Sequence, residues 1–175
     1  MTVKAIETQY NGYRFRSRLE ARWAVFLDEL RAFWEYEKEG YRVGSVGWYL
    51  PDFTIRCGSY SVWFEIKGST PTNLERERCR RLSLEADSNV WVLSETPGTE
   101  RVWVYDKGEL VLSMSHPDTQ NLWCFAFDLC SAYDHIDETL PDHTCPIVAR
   151  AYASARSARF EHGETPKVQR GRQSK

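Results

Sequence analysis

VWFEIKG, residues Val62 to Gly68, decides how this chain is read. Alternate side chains on a strand share a face, so Phe64 and Ile66 point to one side and fill core. Glu65 and Lys67 point together to the other. Upstream, WYLPDFTI, residues Trp48 to Ile55, is a second strand candidate and contains Asp52. Ionised groups resist burial unless something pairs with or coordinates them, so Asp52, Glu65 and Lys67 each need a partner. If the two strands pair as a hairpin, Asp52 comes alongside Glu65, and two carboxylates held together repel unless a cation sits between them. A divalent ion with hard oxygen ligands meets that need: Asp52, Glu65, the Ile66 carbonyl and waters make a shell for Mg²⁺, with Mn²⁺ as its substitute. Lys67 beside such an ion can position a water or stabilise charge growing on phosphoryl oxygens, and these are the parts phosphodiester hydrolysis requires. The bland alternative is a solvated strand face with a cross-strand ion pair to Asp52, worth ~0.2–1 kcal/mol.

The elements around these strands follow from periodicity. SRLEARWAVFLDELRAF places Leu19, Trp23, Phe26, Leu27 and Leu30 on one face, which predicts a helix from Arg18 to Arg31. Ser17 followed by Glu20 matches a capping box, and that role alone accounts for Glu20. FWEYE, YRV, WYLPDFTI and YSVWFEIK then read as β-prone segments forming a meander. Gly40, Gly44, Gly47 and Cys57-Gly58-Ser59 punctuate them, and Pro51 marks an edge position or a bulge. A second helix is expected from Asn73 to Ala86 with Thr70 or Thr72 as N-cap. The strand NVWVLSE comes next, then a hairpin, RVWVYDKGELVLS, turning at Lys107-Gly108. From Gln120 to Pro146 no period is clean. A short helix is expected from Pro146 to Phe160, and a disordered basic tail after it.

Pro51-Asp52 followed by Glu65-Ile66-Lys67, on two strands between a leading and a following helix, resembles the PD-(D/E)XK nuclease superfamily over Ser17 to Leu93. FRSRLEARWAVFLDEL with YLPDF and EIKG further resembles small actinobacterial and phage members of that superfamily. The resemblance implies an α/β fold with a restriction-endonuclease-like core: helix, three-stranded meander, helix and strand, here with an added β-hairpin and an irregular C-terminal extension. It implies a Mg²⁺-dependent DNA endonuclease, with structure specificity left open, in which Asp52 and Glu65 bind metal with the Ile66 carbonyl, Lys67 serves the water or the leaving charge, and Glu20 on the leading helix assists. The alternative is a catalytically inert nuclease-fold module that binds nucleic acid or a host protein. RNA shares the phosphodiester chemistry and stands beside DNA as a partner. A homodimer would supply one site per strand. The expected organisation is a nuclease-like core with its hairpin over 1–115, an acidic, Cys-containing extension over 116–160, and a basic tail over 161–175.

Composition bounds these readings. At 175 residues, 42% hydrophobic and 27% charged, the chain is an ordinary globular protein long enough to bury a real core. The net charge of −2 conceals an uneven distribution. Glu109 to Cys145 holds seven acids and no Lys or Arg, whereas Pro146 to Lys175 holds seven bases against two acids. No apolar run spans a membrane and no secretion signal opens the sequence, so a cytoplasmic protein with no membrane partner is expected. Five irregularly spaced cysteines suggest reduced thiols rather than a disulfide framework. Cys124, Cys130, His143 and Cys145 lack the CxxC knuckles of structural zinc sites, so buried free cysteines are expected rather than Zn²⁺. Arg14, Arg16, Arg18 and Arg22, interleaved with Tyr13 and Phe15, are the candidate phosphate-backbone contacts; an ordinary charged helix face explains them equally well. The same two readings apply to Arg76, Arg78, Arg80 and Arg81.

Overall fold

The structure, a computed structural model, describes residues 5–44, 47–57, 60–86, 88–127 and 145–160. The chain starts with a short hairpin of β1 (Thr8–Tyr10) and β2 (Tyr13–Phe15). Its turn places Asn11 and Gly12 at positive φ, 49° and 84°, the conformation that Asn and Gly tolerate best. Helix α1 (Arg18–Glu29) follows, with the Ser17 hydroxyl accepting the Glu20 N–H at its start. The helix stops two residues short of the expected Arg31, which adopts a positive φ of 57° that ends the turn. Trp23, Ala24, Phe26 and Leu27 are all sealed from solvent, as the apolar stripe requires.

The meander forms, but its strands differ from the expected segments. Strands β3 (Phe33–Tyr36), β6 (Phe53–Cys57) and β7 (Tyr60–Lys67) pair antiparallel in that order. Between β3 and β6 the chain diverts into a separate ribbon of β4 (Tyr41–Val43) and β5 (Gly47–Tyr49). WYLPDFTI is therefore two strands in two sheets rather than one. Pro51, with no N–H to give a ladder, sits in the buried connection between them, and Asp52 lies just before β6 rather than within a strand. The turn residues Gly58 and Ser59 lie outside the described residues.

Helix α2 (Asn73–Glu85) crosses over from β7 to the parallel strand β8 (Val90–Ser94). Thr72 is its N-cap, in a full capping box with Glu75. The hairpin of β9 (Arg101–Asp106) and β10 (Glu109–Ser115) turns at Lys107 and Gly108, both at positive φ. It is no separate appendage: β9 pairs antiparallel with β8 and continues the sheet. The result is an α/β structure with a mixed six-stranded sheet, ordered β10-β9-β8-β7-β6-β3. Helix α2 covers one face, packing Cys79 and Leu82 over Trp63, Val90, Val92 and Trp103. The other face, carrying Phe64, Ile66, Trp91, Leu93, Val102 and Val104, shares its core with α1.

Two further helices close that second face. The stretch after Ser115 forms α3 (Thr119–Ala126), which the sequence pattern did not indicate, and α4 (Pro146–Ser157), which ends three residues before the expected Phe160. Trp123, Val148, Ala151 and Tyr152 are buried in the same cluster as α1. The segment expected as an irregular extension thus supplies part of the main core. A fully buried carboxylate, Glu100, ties the layer together: its Oε1 accepts from Thr119 Oγ1 at 2.6 Å, Trp123 Nε1 at 3.2 Å and the Tyr152 hydroxyl, and its Oε2 accepts the Gly98 N–H at 2.6 Å. Residues 128–144, carrying most of the acidic stretch, and the tail 161–175 lie outside the described residues.

Because α1 packs on α4 and Trp123, a chain ending at Ser115 is expected to lose cooperative unfolding in urea. In the full chain, Trp123→Ala should cost about 3–5 kcal/mol, the range for a large aromatic removed from a core. A truncated chain that unfolds with the wild-type midpoint would show that the C-terminal helices are dispensable.

Candidate active site

The register Phe53↔Phe64 sets Asp52 beside the Glu65–Ile66 peptide. Its Oδ2 accepts the Ile66 N–H at 2.6 Å, and its carbonyl accepts the Glu37 N–H at 2.9 Å, so both strands flanking β6 hold it in place. The other carboxylate oxygen, Oδ1, is bonded by the Arg16 guanidinium. Glu65 sits one residue back on β7, on the α2 side of the sheet. Its Oε1 accepts from Lys67 Nζ at 2.6 Å, while its Oε2 is buried with no hydrogen-bond partner. Lys67 also pairs with Glu75 of α2 at 3.3 Å. Glu20 arrives from the first turn of α1: Oε1 accepts from the Ser17 hydroxyl at 2.8 Å, and Oε2 accepts the Tyr36 hydroxyl and, at 3.1 Å, the Arg16 N–H. The three carboxylates Glu20, Asp52 and Glu65 are 7%, 2% and 5% exposed.

Burial and proximity set their electrostatics. Asp52 is pushed well above the usual carboxylate range, first by burial and then by the charges of Glu65 and Glu20; the Ile66 N–H and Arg16 pull the other way with less effect. Burial also works against the charge on Lys67, yet Glu65, Asp52 and Glu75 together outweigh it and raise the ammonium's pKa. Lys67 is therefore a fixed positive donor and not a proton acceptor. On the far side of Glu65, the Tyr49 hydroxyl and Cys79 Sγ approach to 3.3 Å. Burial, then the Glu65 charge, pushes the Cys79 thiol up to about 12, so it stays protonated and is no nucleophile. Tyr49 is raised for the same reason, with burial foremost and Cys79 and Glu65 adding to it.

Does this arrangement suit a divalent ion? Its donors are hard oxygens, and an orphaned, buried carboxylate oxygen on Glu65 beside a desolvated Asp52 is the kind of vacancy in bonding that a hard cation satisfies. The side-chain donors are limited to Asp52 and Glu65: among the described residues, no three or more His, Cys, Asp or Glu side chains group closely enough to hold a metal ion. Glu20 has donors on both oxygens and stands behind the pair, acting on Asp52 through its charge.

The remaining candidates fare unevenly. Arg14 pairs with Glu7 on the exposed side of the β1–β2 hairpin, and Arg16, itself more than half exposed, pairs with Asp52 and Glu37. Arg18 and Arg22 lie half-buried on α1. On α2, Arg76 bonds Asn73, and Arg80 and Arg81 share Glu77, which is local helix pairing. Cys145 is buried at the start of α4, while Cys130, His143 and the Cys124 side chain lie outside the described residues. Tyr36, Glu37, Tyr49, Glu75 and Cys79 were not anticipated. Glu75 was legible as a capping residue and Tyr36 as the buried alternate of Trp34, but their contacts with the site required α2 and β3 to dock.

A carboxyl whose folded pKa exceeds its unfolded one binds its proton more tightly in the fold, so Asp52 favours folding while protonated. That contribution fades as pH climbs from 3.8 through its raised folded value. Wild type should therefore lose more thermal stability between pH 5 and pH 8 than Asp52→Asn. At pH 8 the variant should melt higher by about 2–4 °C, the shift that ~1 kcal/mol produces in a chain of this size. A variant melting lower than wild type at pH 8 would mean that the Arg16 and Ile66 bonds outweigh burial and repulsion. Protein-family models, curated protein sequences and solved structures match none of this chain, and its functional reading rests on the residues themselves.

Proposed function

We propose that this chain is a Mg²⁺-dependent endonuclease of the PD-(D/E)XK type, with a restriction-endonuclease-like core and DNA as its substrate. The observation that carries this reading is the buried pair Asp52, just before β6, and Glu65, on β7, with Lys67 on one oxygen of Glu65 and no hydrogen-bond partner on the other. The element order supports it: α1, the meander β3-β6-β7, crossover helix α2 and parallel β8 follow the order the motif calls for.

Asp52, Glu65 and the Ile66 carbonyl would hold the ion. When bound, a divalent cation lowers the pKa of a water and neutralises phosphate oxygens. Lys67, kept charged by Glu65, Asp52 and Glu75, donates hydrogen bonds to a phosphoryl oxygen or holds the attacking water in line. Glu20 fixes the Arg16 backbone and the Tyr36 hydroxyl, which steadies the wall behind Asp52. Low exposure of the carboxylates strengthens each of these interactions relative to water.

A second reading has its own observation. Asp52 already carries a cation, the Arg16 guanidinium, as an inert nuclease-fold module binding nucleic acid or a host protein would be free to retain. Purified protein incubated with plasmid, single strands, four-way junctions and RNA, in Mg²⁺ or EDTA, separates the two. Under the first reading Mg²⁺ supports cutting of DNA, EDTA stops it, Asp52→Ala falls to background, and Lys67→Ala loses about 10²–10³ in rate, as removal of one charge-stabilising donor does. Binding without cutting supports the second, and preferential cutting of RNA would reassign the substrate.

A further inference from the structure

Arg16 reaches the candidate site from the residue just after β2. Its backbone N–H is held at 3.1 Å by both Glu20 Oε2 and the Tyr36 hydroxyl oxygen, so the main chain is fixed. Its side chain is 56% exposed, and the guanidinium ends on Asp52 Oδ1 while Nε pairs with Glu37 Oε1 at 2.8 Å. A long, solvent-facing side chain that terminates on a sealed carboxylate can withdraw its head into water with no movement of the backbone. Its other oxygen, Oδ2, already accepts the Ile66 N–H at 2.6 Å, which makes Oδ1 the atom the guanidinium and an ion would contest. A divalent ion on this carboxylate would lie within a few ångströms of the guanidinium, and like charges at that range repel one another.

We propose that Arg16 is the resident counter-ion of Asp52 and is displaced from Oδ1 when a divalent cation loads. This rests on the metal-dependent reading above and adds a residue to it: Arg16 offsets the Asp52 charge before loading and sets how tightly the ion binds. It also gives Arg16 a role other than the phosphate contact that its place in the basic N-terminal run suggests.

Calorimetric titration with Mn²⁺ alone tests this on wild type, Arg16→Gln, Arg16→Lys and Asp52→Asn, with thermal unfolding as the check on folding. Arg16→Gln is expected to bind Mn²⁺ about two- to fivefold more tightly than wild type, the scale of one exposed ion pair. Arg16→Lys, which keeps the competing charge, should stay near wild type. In wild type, the Arg16 Nε–H resonance, assigned by its loss in Arg16→Lys, should move on addition of Mg²⁺, a readout that needs no folded Gln variant. If Arg16→Gln binds no tighter than wild type while Asp52→Asn abolishes binding, Arg16 is not the competitor and the metal site stands without it. If neither wild type nor Arg16→Gln binds Mn²⁺, the metal-dependent reading falls and this inference falls with it.

Discussion

The structure depends on holding Asp52 in a place where its charge is unwelcome. A carboxylate that is almost sealed from water loses its hydration, and the charges of Glu65 and Glu20 act on it as well. The Ile66 N–H and the Arg16 guanidinium keep it there, one from the neighbouring strand and one from the segment leading into α1. Each partner belongs to a different element, so the position of Asp52 reports that β6, β7 and the N-terminal hairpin have docked correctly. A fold selected for stability alone would replace such a cluster with apolar side chains, since buried charge clusters are often neutral or unfavourable relative to a packed core.

Both faces of β7 are covered, and this is what turns a strand motif into a site. Phe64 and Ile66 enter the core shared by α1, α3 and α4, which anchors the backbone that Asp52 bonds to. Trp63 and Glu65 face α2, whose first turn brings Glu75 to Lys67 and whose interior brings Cys79 toward Tyr49. The polar residues of the site are consequently fixed between two packed layers. The second buried carboxylate, Glu100, does a different job: Gly98, Thr119, Trp123 and Tyr152 donate to it as neutral groups, with His116 Nδ1 3.9 Å away, and it joins the C-terminal helices to the loop before β9. The two carboxylate clusters differ in their chemistry. One is crowded by like charges and carries an orphaned oxygen, whereas the other has hydrogen-bond donors on both oxygens.

Much of this was legible in the residues. Helices α1 and α2, the hairpin at Lys107-Gly108 and the helix starting at Pro146 follow from apolar spacing, capping residues and turn residues, which act locally. Glu65 and Lys67 on one face of β7 follow from a period of two. Pro51 signalled an irregularity, but not that Trp48 and Phe53 would part into different sheets. Helix α3 escaped notice because its eight residues carry too few turns to show a period, and what stabilises it is Trp123 packing against Trp23, Phe26 and Phe64.

The sequence by itself determined the local elements and the residue types, because helix caps, strand alternation and tight turns are decided within a few residues of one another. Only the tertiary structure decided what each charge meets. Arg16 and Asp52 stand thirty-six positions apart and Glu20 and Tyr36 sixteen, so no local pattern encodes their contact. Whether an arginine faces a phosphate or a carboxylate depends on where the sheet and helix leave its side chain, and desolvation, which sets the charge state of Asp52, exists only once the layers have closed.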